Sequence, residues 1–221
     1  NIYYCFIYFI FFAILAYPSI GTPYVDHHSA FFSLLGIYIL ITAIRTEKKL
    51  YWFLLPIIFG FAFLSKQVPS SYVILSTILI LLIYSTVNRK FFWMNYSLAG
   101  FFLFIFFIII FGKYQGIKFS SFFEQYILFP LSVGDERYEN FNFTFRGVIG
   151  HFKFIYLAIF PLLVINLIKI FNSKNYIKEN NFFYFLSVFS LTVSLIWHQL
   201  ITVNQTFIFF LIPILFAFSH I

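Results

Sequence analysis

The chain has 221 residues, of which 62% are hydrophobic and only 10% charged, with a net charge of +7. A soluble domain carries about 25% charged residues, so a water-soluble fold of this size is excluded and the solvent must be lipid. The positive charge therefore does not point to nucleic acid, and the single Cys5 excludes an internal disulfide and a cysteine-based metal cage.

Apolar stretches appear from the first residues onward. A membrane-spanning helix needs roughly 17–25 apolar residues, and seven stretches approach or meet that length: 2–17, 28–44, 50–65, 70–87, 91–112, 154–170 and 182–197. An eighth, 205–221, is cut short by the end of the sequence. The first stretch lacks a charged leader and a small-residue cleavage site, so it reads as a span rather than a signal peptide. The sequence starts at Asn1 instead of Met, and a fragment that has lost its beginning is expected. No internal repeat or low-complexity linker interrupts the pattern. The expected fold is all-α, a polytopic integral membrane helical bundle forming a single transmembrane domain over residues 1–221. It has about eight spans and one large loop, 113–153, that carries an interfacial helix.

The charges sort between alternate connections. Arg45, Lys48 and Lys49, then Arg89 and Lys90, then Lys169, Lys174 and Lys178 occupy one set of short turns. Short basic turns are cytoplasmic by the positive-inside rule. The other set, 18–27, 66–69, 113–153 and 198–204, is then outside. It holds every acidic residue except Glu47 and Glu179, together with His27, His28, His151 and His198. A bacterial inner membrane with its chemistry on the periplasmic face is the expected location.

Asp26 stands at the mouth of the second span. An ionisable group at membrane depth is costly to keep and is by default a functional candidate. As a base it can take a proton from an attacking hydroxyl, and as a ligand it can hold a divalent metal ion. It is also a good helix N-cap, which does not conflict with either role. His27 and His28 are adjacent and on a helix would point in different directions. They suit contact with an anion at a helix N-terminus, or simple contact with headgroups. Lys66 is the one cation of its outer turn, where topology gives it no task. It can meet a phosphate, or merely favour a helix C-terminus by about 0.3–1 kcal/mol. The loop 113–153 is too long for a simple turn. Its aromatic part, 119–129, reads as a helix lying on the membrane surface. A polar tip follows over 134–140, and Asn142-Phe143-Thr144 matches the N-glycosylation pattern. His198 and Gln199 end the seventh span, and Asn204 and Gln205 open the eighth. Four polar side chains in one outer turn can line a sugar or phosphate site, or serve as ordinary caps.

There is no phosphate-cradling glycine loop, no His-Glu-x-x-His and no Gly-x-Ser-x-Gly. With its polar groups outside, an enzyme of this kind lacks ready access to cytoplasmic nucleotides, and a lipid-linked substrate suits it better. Three segments then carry a resemblance: Pro23-Tyr24-Val25-Asp26-His27-His28-Ser29-Ala30-Phe31-Phe32, Gly60-Phe61-Ala62-Phe63-Leu64-Ser65-Lys66-Gln67, and Asn204-Gln205-Thr206-Phe207 running to Pro213. They resemble, in turn, an outer-loop acid leading into a span, a Gly-x-x-x-Leu-x-Lys turn, and a late span that lines the site. Together they are similar to C-type (GT-C) membrane glycosyltransferases, in the branch of protein O-mannosyltransferases and lipid A aminoarabinose transferases. The resemblance implies transfer of a sugar from a polyprenyl-phosphate carrier to a glycan, lipid or protein acceptor on the non-cytoplasmic face. It implies Asp26 as catalytic acid residue or orienter. His27, His28, Lys66, Gln67, His198, Gln199, Asn204 and Gln205 become the candidate phosphate- and substrate-binding set. Asp26 resembles the acid of the second outer loop, so the first outer loop is expected upstream of Asn1. Relatives often carry Arg where this chain has Asn204-Gln205.

Two other readings remain open from the sequence. In an O-antigen polymerase or ligase the large loop would act through Arg137, Arg146 and His151. A transporter or flippase would place polar groups at mid-membrane on broken helices, whereas the charges here sit at span ends and Gly36, Gly60 and Pro213 are mild interruptions.

Overall fold

The computed structural model describes residues 2–16, 25–132, 144–173, 175–202 and 208–220, and these are helical with no strand among them. A chain in lipid must satisfy its backbone within each segment, and the helix does so. In chain order the helices are α1 (Ile2–Ala16), α2 (Val25–Thr46), α3 (Lys49–Ser65), α4 (Gln67–Asn88), α5 (Trp93–Tyr114), α6 (Phe119–Phe123), α7 (Lys153–Asn172), α8 (Asn180–Thr202) and α9 (Leu211–Ser219). Five of them, α2, α4, α5, α7 and α8, are long and apolar enough to cross a membrane. Helices of this kind mark an integral membrane protein. With 15 and 17 residues, α1 and α3 are apolar but shorter.

The expected spans 70–87, 91–112 and 154–170 coincide with α4, α5 and α7 to within a few residues. The expected span 182–197 is too short. Helix α8 starts at Asn180 and runs to Thr202, which places His198 and Gln199 inside the helix, not in a polar turn. Both are fully buried. The polar side chains lower local hydropathy without ending the helix, because the bundle rather than solvent surrounds them. Of the expected eighth span, α9 covers Leu211–Ser219, and residues 203–207 and 221 lie outside the described ones.

Helix α2 is the centre of the bundle, packed against α3, α4 and α8. Its buried residues Ala30, Leu34, Ile37, Leu40 and Ile44 recur at helical spacing on the side that meets its neighbours. They join Trp52, Tyr84, Phe183 and Leu191 in one apolar core. Helices α2 and α8 run antiparallel in fixed register. His198 stands opposite Asp26 at one end, and at the other the Asn180 amide reaches the Ile44 carbonyl at 3.5 Å. The basic residues Arg45, Lys48, Lys49, Arg89, Lys90, Lys169 and Lys178 fall on the Ile44 end. There Glu47, with φ 53°, closes the α2–α3 turn and its carboxylate pairs with Lys90.

Glycines permit the closest helix contacts. A Cβ on Gly100 of α5 would lie 2.0 Å from the Phe53 carbonyl oxygen of α3, and Gly60 of α3 receives the Phe104 ring of α5. Small residues let membrane helices approach this closely, where apolar side chains gain nothing from leaving lipid. Gly112, on the same helix, has nothing within 4 Å of such a Cβ. Gly100→Ala is therefore expected to lower stability by about 1–3 kcal/mol through overpacking. Gly112→Ala should be neutral or stabilising by up to about 1 kcal/mol. Thermal unfolding of the two variants in detergent micelles measures the contrast, and equal melting temperatures would remove the glycine contact as the reason α5 docks.

Candidate functional site

Asp26 lies in the first turn of α2, and its carboxylate reaches across to two other segments. Lys66 Nζ donates to Asp26 Oδ1 at 2.5 Å, and His198 Nε2 lies 3.0 Å from the same oxygen. The two partners, Lys66 and His198, are 40 and 172 positions from Asp26 in sequence and come from the α3–α4 junction and the end of α8. The His198 side chain is fully buried, while 16% of Asp26 and 27% of Lys66 remain exposed. The cluster is thus reachable from one side only through the acid and the ammonium. Both bonds fall on Oδ1 and leave Oδ2 of Asp26 without a partner among the described residues.

Lys66 owes its position to local backbone structure. It is extended, φ −163° and ψ 130°, between α3 and α4, and Val68 just beyond it is extended as well, at φ −117° and ψ 125°. Its N–H donates to the Ala62 carbonyl at 3.2 Å. Its carbonyl accepts from Ser29 Oγ at 3.1 Å and from Ser70 Oγ at 2.6 Å. Ser29 is three residues after Asp26, so one face of α2 holds Lys66 twice, by side chain and by backbone. The junction is also held from the outer loop. Tyr126 donates its hydroxyl to the Phe63 and Leu64 carbonyls at 2.7 and 2.5 Å, and Gln67 Nε2 donates to the Tyr126 carbonyl at 2.8 Å. Burial pushes the Tyr126 phenol up to about 12, so it remains a proton donor at any physiological pH. Tyr126 lies in a π-helical turn, Glu124–Leu128, that extends α6.

The expected site residues therefore divide. Asp26, Lys66 and His198 come together. Gln67 is beside them but is used to anchor the loop. His27 is buried, with its ring 6.1 Å from that of Phe31, and His28 is exposed, so the two do point in different directions. Gln199 is fully buried next to His198. Asn204 and Gln205 lie outside the described residues, as do Arg137 and Asn142. Arg146 is exposed and His151 half-buried, and no bond joins either to the Asp26 cluster. Ser29, Ser70 and Tyr126 were not among the expected site residues. Ser29 had one legible signal, its three-residue spacing from Asp26, whereas Ser70 and Tyr126 had none.

A divalent cation does not suit the cluster. Among the described residues no group of three His, Cys, Asp or Glu stands together to hold a metal ion. Asp26 offers one open oxygen, and the Lys66 ammonium on its other oxygen would repel a second positive charge. What the arrangement can do is hold a cation ready for an anion, beside a carboxylate oxygen ready for a proton. No protein-family model, curated protein or solved structure matches the chain.

Tyr126→Phe removes the one hydroxyl that ties α6 and its π-turn to the α3–α4 junction. A hydrogen bond of this type contributes about 0.5–1.5 kcal/mol, so global melting should change little. Amide hydrogen exchange over residues 119–132 should accelerate about tenfold, while α2 and α8 keep their protection. Unchanged exchange in that segment would mean that ring packing, not the hydroxyl, holds the loop.

Proposed function

We propose that this chain is a polytopic membrane glycosyltransferase of the C-type architecture, moving a sugar from a polyprenyl-phosphate carrier to an acceptor on the non-cytoplasmic face. The observation that carries the reading is the meeting of Asp26, Lys66 and His198, from three separate segments, at the bundle end opposite the basic turns. The positive-inside rule makes the basic end cytoplasmic and the Asp26 end periplasmic in a bacterial inner membrane. The shorter apolar helices α1 and α3, and the segment ending in α9, complete about eight spans. The aromatic segment that begins with α6 lies along the outer surface.

In this reading the acceptor hydroxyl attacks the anomeric carbon of the donor sugar. The bond from that carbon to the carrier phosphate oxygen breaks, and its electron pair leaves with the phosphate. The hydroxyl proton goes to Asp26 Oδ2, the oxygen that neither Lys66 nor His198 uses. Lys66 meets the charge that gathers on the departing phosphate, as a positioned cation at a site of developing negative charge. His198 stays on Oδ1 and fixes the plane of the carboxylate. The isoprenoid tail of the carrier stays in lipid along the outer half of α3 and α5, where Leu64, Ile108, Phe111 and Phe119 border an apolar cavity of about 450 Å³. Lys113 stands at its rim.

The test uses the protein in membranes, a radiolabelled polyprenyl-phosphate sugar and three chains. Wild type should transfer label. Asp26→Asn should lose about 10²–10⁴-fold in rate, as expected for removal of a general base, and Lys66→Gln about 10²–10³-fold for loss of one charge-stabilising donor. Membrane levels must be equal for all three. Transfer that survives Asp26→Asn would leave Asp26 as a structural ion-pair partner and would sink the proposal.

A further inference from the structure

Gln199 is a second polar side chain at the same end of the bundle that the Asp26–Lys66–His198 cluster does not use. It follows His198 in α8 and is fully buried, and neither its Nε2 nor its Oε1 has a hydrogen-bond partner among the described residues. Single buried polar atoms at Ser33, Trp52, Thr77 and Tyr84 also lack a partner among the described residues, but at Gln199 both ends of the side chain do. The buried hydroxyls of Ser70, Ser85, Ser187 and Thr192 each donate to a carbonyl of their own helix or its first turn. The other buried amide, Asn166, donates to the Leu162 carbonyl at 2.7 Å and accepts from the Tyr176 hydroxyl at 2.5 Å. Where a buried amide is structural here, both of its ends are bonded. Gln199 has both ends open.

The chemistry of the open ends limits what can fill them. An amide presents a two-hydrogen donor and a two-lone-pair acceptor side by side. A phosphate oxygen is an acceptor and would use Nε2 alone. A cation would use Oε1 alone. A hydroxyl both donates and accepts, so one or two hydroxyls on adjacent carbons satisfy the whole amide. The position fits a group attached to whatever anion Lys66 holds. Gln199 is the next residue after His198, displaced by about 1.5 Å along α8 and turned by about 100° around it, so it stands at the same level of the bundle as the cluster on a different face of α8.

We propose that Gln199 is the residue of this site that reads sugar hydroxyls, binding one or two hydroxyls of the lipid-linked donor while Lys66 takes its phosphate. The inference rests on the glycosyltransferase reading and names the part of the substrate that Gln199 recognises. A buried polar group left unpaired in the absence of its ligand costs stability, and it discriminates strongly against ligands that lack the matching group.

The experiment measures thermal shifts of the full-length chain in detergent micelles with two carriers of equal charge. One is polyprenyl methyl phosphate. The other is a panel of polyprenyl-phosphate mannose, glucose and arabinose. Wild type should be shifted by both, and at least one sugar carrier should bind ten times or more tighter than the methyl ester. Gln199→Met keeps the volume and removes both open ends. It should melt higher than wild type without carrier, and it should bind sugar and methyl carriers equally. Gln199→Leu provides the same readout should the methionine variant fail to accumulate. A sugar preference that survives in these variants overturns the inference and leaves the glycosyltransferase reading standing. A variant that melts below wild type also overturns it, because the amide is then a structural group satisfied by internal water. No shift of wild type by any carrier overturns both the reading and the inference.

Discussion

The outer half of this bundle is organised around one carboxylate that binds two partners through a single oxygen. Asp26 reaches Lys66 and His198 from a helix turn with little access to water. Removing such charges from water costs several kcal/mol per ion, and mutual attraction returns that cost only when geometry is good and further hydrogen bonds are present. Here the further bonds exist, since Ser29 and Ser70 hold the Lys66 backbone while Asp26 holds its side chain. The cluster is therefore better understood as a device for placing groups than as a source of stability. It fixes which turn of α8 faces which turn of α2, and it fixes the extended Lys66 between α3 and α4.

The rest of the packing is compatible with that placement because it makes few polar demands of its own. Many serine and threonine hydroxyls in the helices bond back to carbonyls three or four residues earlier, as Ser85 does to Leu81 and Thr192 to Val188. Such residues can be buried in lipid-facing or core positions without a partner from another helix. Close approach comes instead from Gly36, Gly60 and Gly100, each of which accepts a neighbouring ring or carbonyl where a side chain would collide. The α2–α8 pair is then tied by polar contacts at its two ends and by apolar contact between them, a pattern that sets register without charge in the membrane interior.

Much of this was legible in the sequence, for physical reasons that differ by residue. The helical class follows from composition, because a chain this apolar has few ways to satisfy its backbone in lipid. Asp26 and Lys66 stand out because charge is rare in this chain, and rare charge at a span end has few explanations. His198 was legible as a residue but not as a position. Hydropathy falls at His198 and Gln199, so the span seemed to end there, whereas α8 continues because both side chains are enclosed by the bundle. The bond partners of Ser29 and Tyr126 were illegible, although the spacing of Ser29 from Asp26 put it on the right face of α2. Their bonds to the α3–α4 junction span 37 and 62 or 63 residues of sequence, and a serine or tyrosine near a membrane surface is too common to signal such a contact. The short lengths of α1 and α3, by contrast, were legible, since the expected stretches 2–17 and 50–65 lie within a residue of them.

The same ion pair that places Lys66 would also couple the two halves of the proposed reaction. While Lys66 rests on Asp26, the ammonium lowers the basicity of the carboxylate, because an adjacent positive charge favours its ionised form. In the proposed reaction a carrier phosphodiester, which like a carboxylate has two free oxygens sharing one negative charge, would compete for that ammonium. As Lys66 turns toward the phosphate, Asp26 loses part of the charge that held its proton affinity down, and Oδ2 becomes a stronger base at the moment a donor is present. His198, fully buried and bonded to Oδ1, keeps the carboxylate from rotating during that exchange. An isolated aspartate would be a base at all times, and an isolated lysine would bind any passing anion. Pairing them makes each available chiefly when the other has been engaged, which is a physical reason for this chain to keep an ion pair at the end of its spans.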